Sequence, residues 1–376
     1  MKKGYTINIL LFISVIMFCF ILAVGFADQN HKWKGQVKTI NGINYVMNPK
    51  EPILDEMIFD LKEEYNIRST DEIGKYVLNK PSRMLLDEHD NLYILDPAEG
   101  NVKIFDSQGR FLRIIGRKGQ GPGELNVPSF FSLLNRDELV IADAGRRCIN
   151  IYSLNGEYKR SVSTAKMVVK DMDVDSKGNI FCIVQTRSDD HLRYELEKFD
   201  SSFTQLNTFR QNDDHISIKP SLFVASPCLV VSRNSHIIYG FPDKDYELEV
   251  FDDNGILLKR IQKDFAHIPI SDEEKRDVIK DIPGSLEIYI PEYYPPYYDI
   301  NVDDEARIIV YSQYQYRTKI SIFDVFTAEG MYLSRIKLRN ILRPESCVWR
   351  KNRLYTIEED SEGLPLVVVY QMKWKY

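Results

Sequence analysis

Residues 81–116, PSRMLLDEHDNLYILDPAEGNVKIFDSQGRFLRIIG, hold four short apolar runs, MLL, LYIL, VKIF and FLRII, separated by turns rich in Asp, Asn and Gly. Short strands with regularly spaced turn signals predict an antiparallel four-stranded sheet. The same order returns at 130–163, 172–209, 228–262 and 300–338, and a sixth copy at 346–376 stops after its third strand. Anchored on the second strand (Leu92, Leu139, Ile180, Ile237, Ile308, Leu354), the copies recur every roughly 40 to 70 residues, the shorter spacings being those of propeller blades. Repeated four-stranded sheets predict an all-β, six-bladed β-propeller.

The fourth strand missing from the last copy has a donor at the other end of the chain. The stretch EEYNIRS (63–69) followed by NKPSRMLLD (79–87) repeats the pattern of RFLRIIG (110–116) followed by NVPSFFSLL (126–134). An N-terminal strand is therefore expected to complete the C-terminal blade, closing the ring and removing an exposed sheet edge. Upstream, Asn41-Gly42 lies between alternating apolar residues in VKTINGINYVMNP (37–49), the signal of a type I′ hairpin. The expected organisation is a leader over 1–27, a hairpin and closing strand over 28–80, and the blades over 81–376, the last two forming one domain.

The leader reads as a secretory signal: Met1-Lys2-Lys3, an apolar run from about Ile9 to Ala27, and a small-residue site ending at Ala27. Its length also approaches the roughly 18 residues that span a bilayer, so an uncleaved anchor is the second reading and the one route to a membrane. Either implies a periplasmic or extracellular protein. The four cysteines beyond the leader, Cys148, Cys182, Cys228 and Cys347, are far apart in apolar stretches and are expected as free buried thiols. A formal charge of -6 supplies no basic field for nucleic acid.

The blade unit LLDEHDNLYILDPAEGNVKIFDSQGRFLRIIG, the segment GRKGQGPGEL (116–125) after it, and PEYYPPYYDINVDDEARIIV (291–310) resemble the secreted six-bladed propeller proteins related to NHL repeats. The resemblance covers nearly all of the chain beyond the leader. It implies the fold and export, and no particular activity.

In a propeller, the loops between second and third strands and the connections between blades open on one face, where binding residues concentrate. That face gathers Asp96, Glu99, Arg117, Lys118, Glu124, Asp143, Arg146 and Arg147 from the first two blades. It gathers Arg187, Asp189, Asp190, Asp243, Tyr314, Tyr316 and Arg317 from the next three. Arg117, Lys118, Arg146 and Arg147 suit a carboxylate, sulfate or uronic acid through bidentate contacts, or else salt bridges with Asp96, Asp143 and Glu124.

The segment GRKGQGPGEL packs four glycines and two cations into ten residues, as a phosphate cradle does. No Lys-Ser or Lys-Thr follows the last glycine, and strands come next, so the expected role is turning the corner between blades.

The insertion 264–298 carries SDEEKRDVIKDI, a short helix with Ser271 as cap, ending near Pro283-Gly284. Tyr293, Tyr294, Tyr297 and Tyr298 follow among prolines, placed to stack on a sugar or a partner, or to plug the channel mouth. The run Asp171-Met-Asp-Val-Asp175 approaches a calcium loop, but its glycine comes late and no downstream Glu completes it. DINVD (299–303) repeats its shape, which marks it as blade consensus, with Asp175 and Asp303 opening turns. No G-x-S-x-G elbow occurs, and His31, His89, His191, His215, His236 and His267 are scattered, so no catalytic residue, metal ligand or cofactor is assigned. The function expected is a non-catalytic exported propeller binding a partner protein or an oligosaccharide. The alternative is a metal-dependent propeller hydrolase or lyase acting on a sugar, lactone or peptide derivative.

Overall fold

Six four-stranded antiparallel sheets follow one another along the chain in a computed structural model that describes residues 32–54, 59–69, 76–164, 167–187, 191–214, 221–280, 282 and 287–375. The leader lies outside the described residues. The stretch Gly35–Tyr376 forms one unit.

Blades 1 to 5 occupy 83–115, 128–163, 168–214, 228–263 and 299–339, each with its first strand at one edge; the fourth strand is the other edge in all of these except blade 4, whose sheet continues into two N-terminal strands. Blade 6 takes three strands from 348–374 and its outermost from β3 (Phe59–Arg68), paired antiparallel to Pro365–Trp374 from Arg68↔Leu366 to Phe59↔Trp374. The expected ring closure is thus observed, and the molecule is a six-bladed β-propeller.

Burial along the strands shows where the core lies. In blade 1 the second strand, LYILD, is buried at every position, whereas the outer strand FLRII alternates toward solvent. A middle strand buried on both faces needs apolar residues throughout, and these sequences supply them. Among the described residues six hydrophobic clusters result, each straddling two consecutive blades. Tyr93, Leu95 and Ile104 of blade 1 meet Phe131, Ile141 and Tyr152 of blade 2. The sixth cluster packs Ile67, Tyr355, Ile357 and Val367 of blade 6 against Met84, Leu92 and Phe105 of blade 1.

The expected hairpin forms from β1 (Gln36–Ile40) and β2 (Ile43–Asn48), with both turn residues at positive φ, Asn41 at 52° and Gly42 at 81°. Its docking was not legible beforehand. Strand β2 pairs parallel to the outer strand of blade 4, from Asn44↔Lys259 to Asn48↔Lys263. Buried Asn48 then ties two blades together: its Nδ2 donates to the carbonyls of Gln262 (3.0 Å) and Gly330 (2.9 Å), and its Oδ1 accepts from Tyr332 N (2.7 Å). Further on, Ile53 N and Leu54 N donate to the carbonyls of Tyr332 and Leu333 on the outer strand of blade 5. The segment before the first blade therefore borders the outer strands of blades 4 and 5 before completing blade 6.

The segment GRKGQGPGEL turns the corner from blade 1 to blade 2. Gly119 N donates to Leu125 O (3.0 Å), Leu125 N to Arg117 O (2.9 Å) and Glu124 N to Gly121 O (3.0 Å), so these N–H groups are spent inside the loop. Gly123 has φ 69°, and a Cβ there would lie 2.8 Å from the Tyr158 ring. The four cysteines are free and buried, as expected.

Phe59 anchors the closing strand: it is wholly buried and meets Trp349 and Trp374 edge-on at 5.9 and 5.1 Å. Phe59→Ala should cost roughly 3–5 kcal/mol in urea unfolding. A loss below about 1 kcal/mol would show that β3 does not hold the ring closed.

Candidate functional site

A concavity of about 1030 Å³ opens on the loop face beside blades 3 and 4. Ligand pockets generally run from about 300 to 1,000 Å³. Its blade 3 side presents Lys170 from the innermost strand (Val168–Val174) together with Gln185, Arg187 and Tyr194. Blade 4 contributes the entry segment Ser221–Pro227 and the loop Phe241–Lys244, and Arg147 reaches in from blade 2. The opposite wall is the insertion before blade 5, through His267, Tyr289 and Pro291–Pro296.

The insertion is held by bonds along its length. Its helix, α1 (Asp272–Ile279), starts at Ser271 with a capping box: Ser271 Oγ accepts from Glu274 N, and the Glu274 carboxylate accepts from Ser271 N. The observed helix is shorter than the stretch read from the sequence, and Pro283 and Gly284 lie outside the described residues. Ile270 N donates to Glu292 O (3.0 Å) and Tyr294 N to Ile268 O (2.9 Å), folding the segment back on itself. Leu222 N donates to Tyr289 O (3.0 Å), which joins the insertion to the entry of blade 4.

Aromatic rings line this wall. Tyr294 meets Phe223 edge-on at 5.5 Å and donates its hydroxyl to Glu274 Oε1 (3.0 Å). Burial and that carboxylate push the Tyr294 hydroxyl up to about 12. Tyr293 packs on His267 at 5.4 Å and stays 41% exposed. It offers the open ring of the site.

The structure divides the residues expected at the site. Arg147, Arg187, Asp243, Tyr293 and Tyr294 come together around the cavity. Arg117, Lys118 and Arg146 are absorbed by the corner instead. Arg117 pairs with Glu124 (2.9 Å), Lys118 Nζ donates to Ala98 O (3.0 Å), and Arg146 Nη1 donates to Glu124 O (2.7 Å).

The expected salt-bridge partners Asp96 and Asp143 serve otherwise. Asp96 accepts from Asn79 N, Lys80 N and Lys103 Nζ, and Asp143 from Asn126 N and Val127 N. Each ties an incoming connection to its blade. Glu99 accepts from the Asn79 amide.

Tyr297 is a correction to the expected binding face: it is wholly buried, with its hydroxyl on Glu247 O (2.7 Å), and presents no ring to a ligand. Tyr314 packs against the core between blades 5 and 6. Arg317 pairs with Glu273 of α1, and Tyr316 begins the 3-10 turn Tyr316–Thr318. Asp189 and Asp190 lie outside the described residues. The sequence reading missed Lys170, Phe223, Phe241 and Lys244; the single cation inside the strand VVKDMDV was the available signal for Lys170.

The innermost strands carry a second polar group. Asp171 Oδ2 accepts from Leu229 N (2.8 Å) and Asp173 Oδ2 from Val231 N (2.9 Å), so two carboxylates of blade 3 cap N–H groups on the innermost strand of blade 4. Burial raises Asp173 to about 6. Asp175 and Asp303 open turns, accepting from Asn179 N and Arg307 N respectively. Burial also holds Asp299 well above the usual carboxylate range, with Asp171 adding to the effect and Arg83 opposing it. Among the described residues no three His, Cys, Asp or Glu side chains gather as a metal-ligand set.

The chain matches, over residues 75–264, the DUF5128 family, described as a 6-bladed beta-propeller. A candidate exported protein of Bacteroides fragilis superposes with a TM-score of 0.59 at 12% identity, covering 88% of this chain and 100% of the other. A member of the duf4221 family from Bacteroides vulgatus superposes with a TM-score of 0.54 at 13% identity, covering 84% and 99%. At these identities the likeness is one of fold. No curated protein matches the chain in sequence.

The buried Asp299 carboxyl has a measurable pH signature. Because the pKa of Asp299 is raised on folding, the folded state holds the proton more tightly. The stability this contributes is full below the unfolded value, about 3.9, and is lost as pH rises through the folded value. Asp299→Asn should therefore lose less stability than the unaltered protein in thermal unfolding between pH 5 and 9. Parallel curves for the two proteins would refute the assignment.

Proposed function

The chain belongs to this six-bladed β-propeller family, and from that premise we propose that it is an exported, non-catalytic protein that binds an oligosaccharide in its loop-face cavity. The observation that carries the reading is the cavity itself: about 1030 Å³, walled by Tyr293, Tyr294 and Phe223 and edged with charged and amide groups. Aromatic faces take the C–H faces of sugars, while polar groups around them fix hydroxyls. A protein partner would be better served by a broad surface of about 800 Å² per side than by a concavity.

Export is supported by the basic and apolar leader. The export described for the Bacteroides fragilis neighbour fits the same reading. The metal-dependent hydrolase is less well supported, because Asp171 and Asp173, the carboxylates nearest a calcium-like pattern, are engaged by backbone N–H groups.

Binding of the chain from Asp28 onward to a panel of oligosaccharides, measured by calorimetry, tests the proposal. Tyr293→Ala should weaken the best ligand roughly two- to tenfold, the worth of one aromatic contact, without shifting the unfolding midpoint. A blank panel together with one protein recovered in stable complex would transfer the function to a protein partner. A stoichiometric divalent cation in the purified protein would favour the hydrolase.

A further inference from the structure

Lys170 is the extra residue of a β-bulge. Along the first two strands of blade 3 the register runs Val169↔Val184 and then Asp171↔Ile183, leaving Lys170 without a partner in the ladder. Bulges re-aim a side chain and recur beside functional sites. Blade 2 has a bulge at the corresponding place, where Pro128↔Asp143 is followed by Phe130↔Ala142 and the extra residue is Ser129. There the Ser129 hydroxyl bonds back to Ala142 O (3.3 Å). Blade 3 puts a cation in that position and lines the cavity with it.

The Lys170 ammonium has three donors, and among the described residues no carboxylate or carbonyl receives one. Burial lowers its pKa, with no neighbouring charge acting against the shift. A half-buried cation without a counter-charge is costly, and an anion bound beside it would offset that cost. The surroundings agree. Arg147, Arg187 and Lys244 line the same cavity against two carboxylates, Asp243 and Glu292, in a chain whose net charge is -6.

We infer that the cavity takes an acidic saccharide, a carboxylate or sulfate of one sugar unit seating on Lys170 while Arg147 and Arg187 face the neighbouring units. This rests on the oligosaccharide reading above and adds the charge of the ligand. The Tyr293 wall supplies contact common to all sugars, and the bulged lysine supplies the choice among them.

Calorimetric titration with three probes of equal length tests it: an oligogalacturonide for carboxylate, a sulfated dextran oligosaccharide for sulfate, and a neutral cello-oligosaccharide. At least one acidic probe should bind tenfold or more tightly than the neutral one, and which of the two does so identifies the anion. Lys170→Met should lower that affinity at least tenfold, and Lys170→Arg should keep it within about threefold. If Lys170→Met does not fold, Arg187→Ala, at an exposed position, should still weaken the acidic probe severalfold. Neutral binding equal to acidic binding, or acidic binding unchanged in a folded Lys170→Met or in Arg187→Ala, overturns the inference and leaves the oligosaccharide reading standing. Failure of all three probes overturns both.

Discussion

Everything in this molecule depends on sheets that are apolar on both faces. A single blade has no interior of its own: Leu92, Tyr93, Ile94 and Leu95 are consecutive and all buried, so each face of their strand must be covered by a different neighbour. The cores are therefore the six seams between blades, and a row of such sheets is satisfied only when it closes into a ring. Strand β3 joins the two ends of the chain in one sheet and lets Ile67 and Val367 seal the last seam against Leu92. The apolar surface of the first and last blades would otherwise face water.

Closure constrains the polar groups as well. Innermost strands have neighbours on one side only, and their free N–H groups face other innermost strands across the axis. Asp171 and Asp173 meet that need for Leu229 and Val231, so a motif shaped like a cation loop works as a strand cap. At the outer rim the same problem arises from the opposite side. Strand β2 covers the outer edge of blade 4, and Ile53 and Leu54 bond to that of blade 5. Edges left bare invite pairing with other chains, and this molecule spends its N-terminal segment on covering them.

The candidate site belongs to the part of the chain that departs from the repeat. The connection GRKGQGPGEL serves as a corner and is bonded to itself. The insertion 264–298 is long enough to fold back, cap its own helix and stand as a wall opposite blade 3. A rigid ring thus holds Lys170 at a fixed bulge while a separately braced loop presents Tyr293. Binding residues on loops borne by a stiff scaffold are the usual division of labour.

The sequence by itself determined the repeat, the blade count, the strand exchanged between the two ends, the Asn41-Gly42 hairpin and the start of α1. All of these follow from short-range patterns: alternation of apolar and turn residues, φ requirements and caps. Tertiary structure alone decided which charged loop residues remain available. Arg117 and Arg147 look alike in the sequence, yet Arg117 lies at the corner beside Glu124 while Arg147 stands over the cavity. Tyr293 and Tyr297 are likewise neighbours in one motif, and one lies open while the other is buried under blade 4. Which member of such a pair borders the cavity depends on where the ring places its blades and loops, and no local pattern encodes that distance.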